Sequence, residues 1–593
     1  MSTRIHAYVT RRAALVGATL VVAAGLVSGI PSTASSSAPK TPTGAKSSLG
    51  EELRIGTTQE FENLNPLIAN MSATTYILGA VNRTQLVILD EKNQWIPMAA
   101  SRIPTLDNGG AVYVEAGGKR KLRVTWEVRA DVVWGDGKPV TAADYRLAWD
   151  IGRSDKTSVP NREPFANVEA FETDPGNPKR FTVTLTEPKF HYFRNMWSAL
   201  PAHLEAKVFK EWGAKPEGYD RNTNYAKSSA DPGLYSGPYR VAAIKLGSHI
   251  ELVPNEKWWG GEKPHFRKVV LRVIPNSGTL ESNLVSGEIA MANGVGMTLD
   301  QAVAFEKRAA AEKQPFQVSY VDGLTYEHID VNLNDPHLAD VRVRKALLHA
   351  IDREALVKAL FDGKQKVAHH SIHPTDPWFT DDAKVVTKYE FSPRKARRLL
   401  GEAGYKPGAG GVLEKEGKPL RVTFMTTAGN KSRENVQAFL KDQWAQVGVA
   451  VEIRNEPAKV FFGETTTKRK FGGLAMYAWT SAPEGNLRQI LHSENIPSAT
   501  NGWAGTNFMG WRNAAVDKAI DSLEAEFSLE KRKALAATVV REYTAELPVL
   551  PLYYRANVVV AAKALVGMTP TAHTYAETYH IERWRADTRL SAK

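Results

Sequence analysis

Three histidines within five residues, His369, His370 and His373, are the densest set of potential metal ligands in the chain. Imidazole nitrogens suit Zn2+ or Ni2+. Pro374 and Pro377 place them in a loop rather than on a helix, where ligands four residues apart converge, and no carboxylate stands at a fixed spacing. No metal site is expected there. A second set, Tyr326, His328, Asp330 and Asn332, alternates along an expected strand and therefore shares one face. Glu60 and Glu62 stand in an early loop, and Glu163, Glu169 and Glu172 in a polar stretch without a pairing pattern. The chain has no G-x-S-x-G elbow, HExxH helix, P-loop or dinucleotide fingerprint after a strand. With no cysteine in 593 residues, disulfides, thiolate metal ligation, a cysteine nucleophile and a lipid anchor on an N-terminal cysteine are all excluded. No enzyme and no cofactor are expected.

The elements that must position these residues are those of a soluble α/β protein: hydrophobic residues make up 43% and charged residues 24%. Arg4, Arg11 and Arg12 precede an uncharged run over 13–30 and small polar residues over 31–38, the order of a secretory signal. Thr10-Arg11-Arg12 followed by Leu15 resembles a twin-arginine export signal, with residues 1–38 removed and 39–49 as linker. Removal lowers the net charge from +12 to +9. Basic and acidic residues are interleaved without a basic run, so nucleic acid is not an expected partner.

Leu122, Val124, Trp126 and Val128 alternate with polar residues, a half-buried strand. The Asp136-Gly137 turn leads to Thr141 and Asp144, spaced as a capping box. A strand at Tyr239-Arg240 pairs with one over 250–253. Asp340 caps a long helix carrying Val343, Leu347, Ile351 and Ala355, with Gly363 beyond its end. Ser392-Pro393 opens another helix that Gly404 closes. Strand 420–427, a helix with Val436, Leu440, Trp444 and Val447, and strand 449–453 form a βαβ unit, hence a parallel sheet.

Four of these stretches together resemble the extracellular solute-binding proteins of the oligopeptide and dipeptide importers, bacterial family 5. They are WGDGKPVTAAD (134–144), SGPYR with NEKWWGGEKP (236–240 and 255–264), DVRVRKALLHAIDR (340–353) and SPRKARRLLGEAGY (392–405). The resemblance implies an α/β, two-lobed periplasmic-binding-protein fold (type II, cluster C-like) with an extra small domain. Lobe I comprises 50–95, 201–325 and 546–593, the insertion domain 96–200, and lobe II 326–545. It further implies a monomer, exported to the periplasm without a lipid anchor, which captures a small peptide or peptide-like ligand and docks on an ABC permease in the inner membrane.

Peptide binders of this family hold the ligand's α-amino group with an aspartate three residues after a tryptophan. Here the matching stretch is Met476 to Glu484; Trp479 is present, and Ala482 stands where the aspartate belongs. The expected ligand-binding residues are Trp479, Tyr477, Ser481, Glu484 (replacing that acid), Tyr326 and His328 on the strand at the lobe crossover, and Glu60. A non-peptide solute (metal chelate, opine or sugar conjugate) is the alternative, ahead of a secreted peptide-acting enzyme or chaperone.

Overall fold

The computed structural model describes residues 49–589 except 62, 70, 195, 486, 502, 504, 574 and 588. The export signal and Glu62 lie outside the described residues. Among the described residues no helix is long and apolar enough to cross a membrane.

An eleven-stranded mixed sheet forms the backbone of the molecule. Its path runs Ala450–Ile453, Arg421–Met425, Leu474–Thr480, Phe316–Val331, Val549–Ala562, Met291–Ala292, Glu52–Thr57, Lys268–Val273, His249–Pro254 and Tyr239–Lys245, with Lys366–Val367 pairing Val549–Ala562 off the path. Arg421–Met425 and Ala450–Ile453 are parallel and joined by the helix Lys431–Ala445, the βαβ unit expected from the pattern. Tyr239–Lys245 and His249–Pro254 pair antiparallel. The strands at the 450–480 end come from the stretch expected as lobe II, and those at the 52–57 and 239–292 end from the stretches expected as lobe I.

Two long strands, Phe316–Val331 and Val549–Ala562, run as one antiparallel ladder through the middle of this sheet. Phe316 to Asp322 pairs with Ala562 to Ala556; the register then slips, and Thr325 to Asp330 pairs with Arg555 to Val549. Gly323 and Leu324 are the extra residues of this bulge, which frees local backbone groups and bends the strand. A Cβ at Gly323 would lie 2.7 Å from Asn557 Oδ1 and 2.8 Å from the Arg555 carbonyl oxygen, so only glycine lets the two backbones approach this closely. Leu324 N donates to the Ala572 carbonyl (2.9 Å), and its own carbonyl accepts from Ser481 N (2.9 Å). One residue of the bulge is thereby tied to both the Ala572 and the Ser481 segments. The expected division at 545/546 assigns the whole of Val549–Ala562 to lobe I, and that strand pairs along its length with Phe316–Val331, which the expected division at 325/326 cuts.

The faces of this ladder separate the cores. Ile329 and Val331 pack with Leu347, Phe424 and Trp444 on one side, whereas Tyr326 and Tyr554 pack with Tyr543, Trp511 and Trp378 on the other. A smaller four-stranded antiparallel sheet, ordered Ala111–Ala116, Lys119–Glu127, Asn177–Leu185 and Val168–Asp174, stands apart from the main one. The helix Ala142–Arg153 covers it, started by the Thr141–Asp144 capping box, and its core stacks Tyr145 on Phe181 and Phe181 on Phe171. Glu169 and Glu172 are paired after all, with Lys121 and Arg123 of the strand Lys119–Glu127, reached across the intervening strand Asn177–Leu185.

The expected long helix after Asp340 is two helices, Val341–His349 and Arg353–Phe361. Asp352 makes the break. Its carboxylate caps the second helix by accepting from Ala355 N (2.9 Å), and its own N–H is taken by Gln443 Oε1 (2.8 Å).

Candidate functional site

Strand Leu474–Thr480 sets Trp479 opposite Tyr326 and Tyr477 opposite His328, while Tyr554 faces Tyr326 from the other side. Alternation puts these five rings on one face of three adjacent strands. Tyr326 stacks on His328 (5.1 Å, 12°), His328 meets Tyr477 edge-on (4.6 Å), Tyr477 meets Trp479 (5.6 Å), and Trp479 lies against Phe508 (6.1 Å). Trp479 is half-buried, whereas Tyr326, His328 and Tyr477 are buried.

The buried rings form a polar layer beneath the surface. Tyr326 and Tyr543 share a hydroxyl–hydroxyl bond of 2.9 Å. Tyr477 donates to Asp330 Oδ2, and His328 Nε2 lies 3.3 Å from Asp330 Oδ1. Burial raises the hydroxyl pKa of Tyr326, Tyr477 and Tyr543 well above 10 and keeps these phenols neutral. His328 and Tyr477 therefore support the site from below rather than lining it.

A small pocket opens over Tyr326 and Trp479. Leu324 of the bulge, Ser481 and Gly485 of the turn after Trp479, and Leu487 and Ile490 of the following helix form part of its wall. The loop with Ser371, Ile372, His373, Asp376 and Trp378 forms the rest. That loop is anchored from the sheet, because Tyr554 donates its hydroxyl to the carbonyls of His370 (2.8 Å) and Ile372 (2.9 Å).

The three loop histidines do not converge. His370 accepts at Nδ1 from Ile372 N and directs Nε2 to the Thr380 carbonyl, and His373 uses Nδ1 on Thr375. Burial pushes all three imidazoles down to about 4, so they are neutral near pH 7. Among the described residues no three metal-ligating side chains gather.

Glu484 is already engaged. Its Oε1 accepts from Arg532 (2.7 Å and 3.2 Å), and Oε2 accepts from Arg194, which also donates to the Pro483 carbonyl (2.9 Å). Arg194 arrives from the segment following the small sheet. The same segment brings Phe190 against Trp378 (5.7 Å) and beneath the Arg532 guanidinium (4.2 Å). Phe190 N donates to the Glu524 carbonyl, and Lys189 pairs with Glu524 (3.5 Å). An acid expected to replace Ala482 thus closes a clasp between the 187–194 segment and the helix Leu529–Glu546, with no oxygen left unpaired for a ligand amine.

Of the expected site residues, Trp479, Tyr326 and Ser481 meet at the pocket, and Tyr477 and His328 lie behind it. Glu60 is exposed in lobe I, with its Oε1 near the hairpin turn at Gly247, and is not among the pocket's lining residues. Asp376 and Trp378 were not legible as site residues, and His373 only as a metal ligand. Asp376 accepts from Trp378 N (2.8 Å) and Glu484 N (2.7 Å), fastening the loop to the turn. Burial pushes its carboxyl up to about 6. The only local signal is the Asp376-Pro377-Trp378 sequence, a turn dipeptide beside an aromatic.

The family model described as bacterial extracellular solute-binding proteins, family 5 (middle), matches residues 119–498. The oligopeptide-binding protein AppA of Bacillus subtilis is 24% identical over 567 residues, spanning 95% of this chain and 97% of that one. The crystal structure of an oligopeptide-binding protein from Thermus thermophilus complexed with a pentapeptide superposes with a TM-score of 0.70 at 28% identity, over 91% of this chain and 97% of that one. NikZ of Campylobacter jejuni, in complex with Ni(L-His), shares the fold with a TM-score of 0.69 at 22% identity, over 90% of this chain and 99% of that one.

Proposed function

The chain belongs to the bacterial extracellular solute-binding proteins of family 5, and from that premise we propose that it is the substrate-binding component of an ABC importer, capturing peptides or peptide-like solutes. The observation that carries this reading is the pocket over Tyr326 and Trp479, whose wall includes Leu324 of the strand bulge joining the lobes. A solute seated there touches the element that must flex when the lobes open and close. Ligand that contacts both lobes stabilises the closed form, because an equilibrium moves only by the difference in affinity between its two states. The solute leaves unaltered, and a permease in the inner membrane takes it from the closed form.

The division into lobe I (50–95, 201–325, 546–593), insertion domain (96–200) and lobe II (326–545) belongs to this proposal, with the second crossover strand shared. So do the periplasmic location and the monomeric state. Native mass spectrometry of protein purified without refolding tests the reading: a retained solute of peptide mass, released intact, is expected. Adding a peptide pool should also raise the melting temperature, by the equivalent of about 2.7 kcal/mol at a hundred times Kd. Turnover of the peptide, or stabilisation by none, overturns it.

A second reading, a non-peptide solute (metal chelate, opine or sugar conjugate), draws on one observation. Ala482 offers no acid, and Glu484 is held by Arg194 and Arg532.

A further inference from the structure

Two donors in the pocket wall have no acceptor among the described residues. They are His373 Nε2 and Trp378 Nε1, on side chains that are each 3% exposed and line the cavity over Trp479. The proton positions follow from the neighbours. His373 Nδ1 accepts from Thr375 N (3.2 Å), so in the neutral ring the proton sits on Nε2. Burial holds this imidazole at about 4, so the neutral tautomer persists at physiological pH. An indole N–H can only donate. Buried donors are normally satisfied, and an orphaned pair in one cavity wall marks a place for an acceptor.

Resting on the reading that this cavity holds the solute, we propose that His373 Nε2–H and Trp378 Nε1–H make it a specificity pocket for a neutral acceptor oxygen, an amide carbonyl of a peptide or peptide-like solute.

The other polar groups exclude the charged alternatives. An ammonium needs acceptors, yet Ala482 supplies none and Glu484 is occupied at both oxygens by arginine. Asp376 already accepts backbone N–H groups at both oxygens, from Trp378 and Glu484. An ammonium would also leave both orphaned donors unsatisfied. A carboxylate would satisfy them but would face the Asp376 carboxylate across the same cavity. Ser481 does not compete for the acceptor, because its hydroxyl is directed to the Ala482 carbonyl (3.0 Å). A neutral carbonyl oxygen meets both donors without a charge conflict.

The test uses alanine pentapeptides in which each position in turn carries Asn, Leu, Asp or Lys, titrated against the full-length mature protein. At one position the Asn peptide should bind about tenfold or more tighter than its Leu, Asp and Lys counterparts, the effect of satisfying two buried donors. His373→Phe and Trp378→Phe should each reduce the ratio of Asn-peptide to Leu-peptide affinity severalfold. Unliganded melting curves identify any variant that fails to fold. In that event the wild-type indole resonance of Trp378 carries the test, moving downfield and resisting hydrogen exchange only with the Asn peptide. A preference for Lys or Asp, or an Asn preference retained in both variants, overturns the proposal while the solute-binding reading stands. Equal binding of all four side chains at every position does the same, and identifies bound water as the partner of both donors. If no peptide binds, the peptide reading itself fails and the proposal falls with it.

Discussion

Glu484 sits between Arg194 and Arg532 with 8% of its surface exposed, and the two cations depend on it. Removing one member of a buried ionic cluster leaves the rest uncompensated, at a cost of about 3–5 kcal/mol. Glu484→Ala is therefore expected to lower urea stability by that order. A variant as stable as the parent would show that the clasp contributes nothing to the fold. Trp479 is the opposite case. It is half-buried at the pocket edge against Phe508, so Trp479→Ala should abolish solute-induced stabilisation while the unliganded protein keeps its fold. Calorimetric titration reads this directly, and an unchanged Kd would remove Trp479 from the site.

At the scale of elements, the proposed hinge is the bulge at Gly323 and Leu324. A Cβ at 323 meets the Arg555 backbone, which cannot rotate away, so Gly323→Ala should cost about 1–3 kcal/mol as an overpacked contact. Small-angle scattering with and without solute should also show a smaller change in radius of gyration than in the parent. Thermal melts and scattering curves identical to the parent's would mean that the bulge is not where the lobes move. Little of this hinge was legible in the sequence. Alternation from Tyr326 to Asn332 marked half of the first crossover strand, but Gly323-Leu324 interrupts the period and obscures the half beginning at Phe316. The second crossover strand, Val549–Ala562, holds a nearly continuous apolar stretch because most of it is buried on both faces, and a period-2 pattern vanishes there. The βαβ unit and the Thr141 capping box depend only on local spacing and could be read in full. The site was half legible: Trp479 and Tyr326 came from resemblance and strand pairing, whereas Asp376 and Trp378 reach the pocket through a loop whose path only tertiary packing sets.

Over the whole molecule, acid has a predictable effect. His191, His369, His370 and His373 are all pushed down to about 4 by burial, against an ordinary value near 6.5. Between these values the unfolded chain binds more protons than the native one, so stability falls as pH drops from about 6.5 towards 4. Asp376 and Glu577 act the other way. Burial raises them to about 6 and 7, and their native forms take up protons in that window as pH falls. His580 is pushed down to about 4 as well, and these five histidines against the two acids leave a net loss on acidification. The melting temperature should decline over that range, and less steeply in His370→Asn, where one of these groups is gone; a flat profile would contradict the burial of these rings.

The order in which the strands are synthesised adds a constraint. Val549–Ala562 lies at the centre of the sheet, between Phe316–Val331 and Met291–Ala292, yet it is among the last strands to leave the ribosome. Until it does, the two halves of the sheet have no common strand, and both facing edges expose unpaired backbone groups. A chain interrupted before residue 549 would hold neither lobe in register with the other. Closing the sheet must therefore wait for the segment that begins at residue 549.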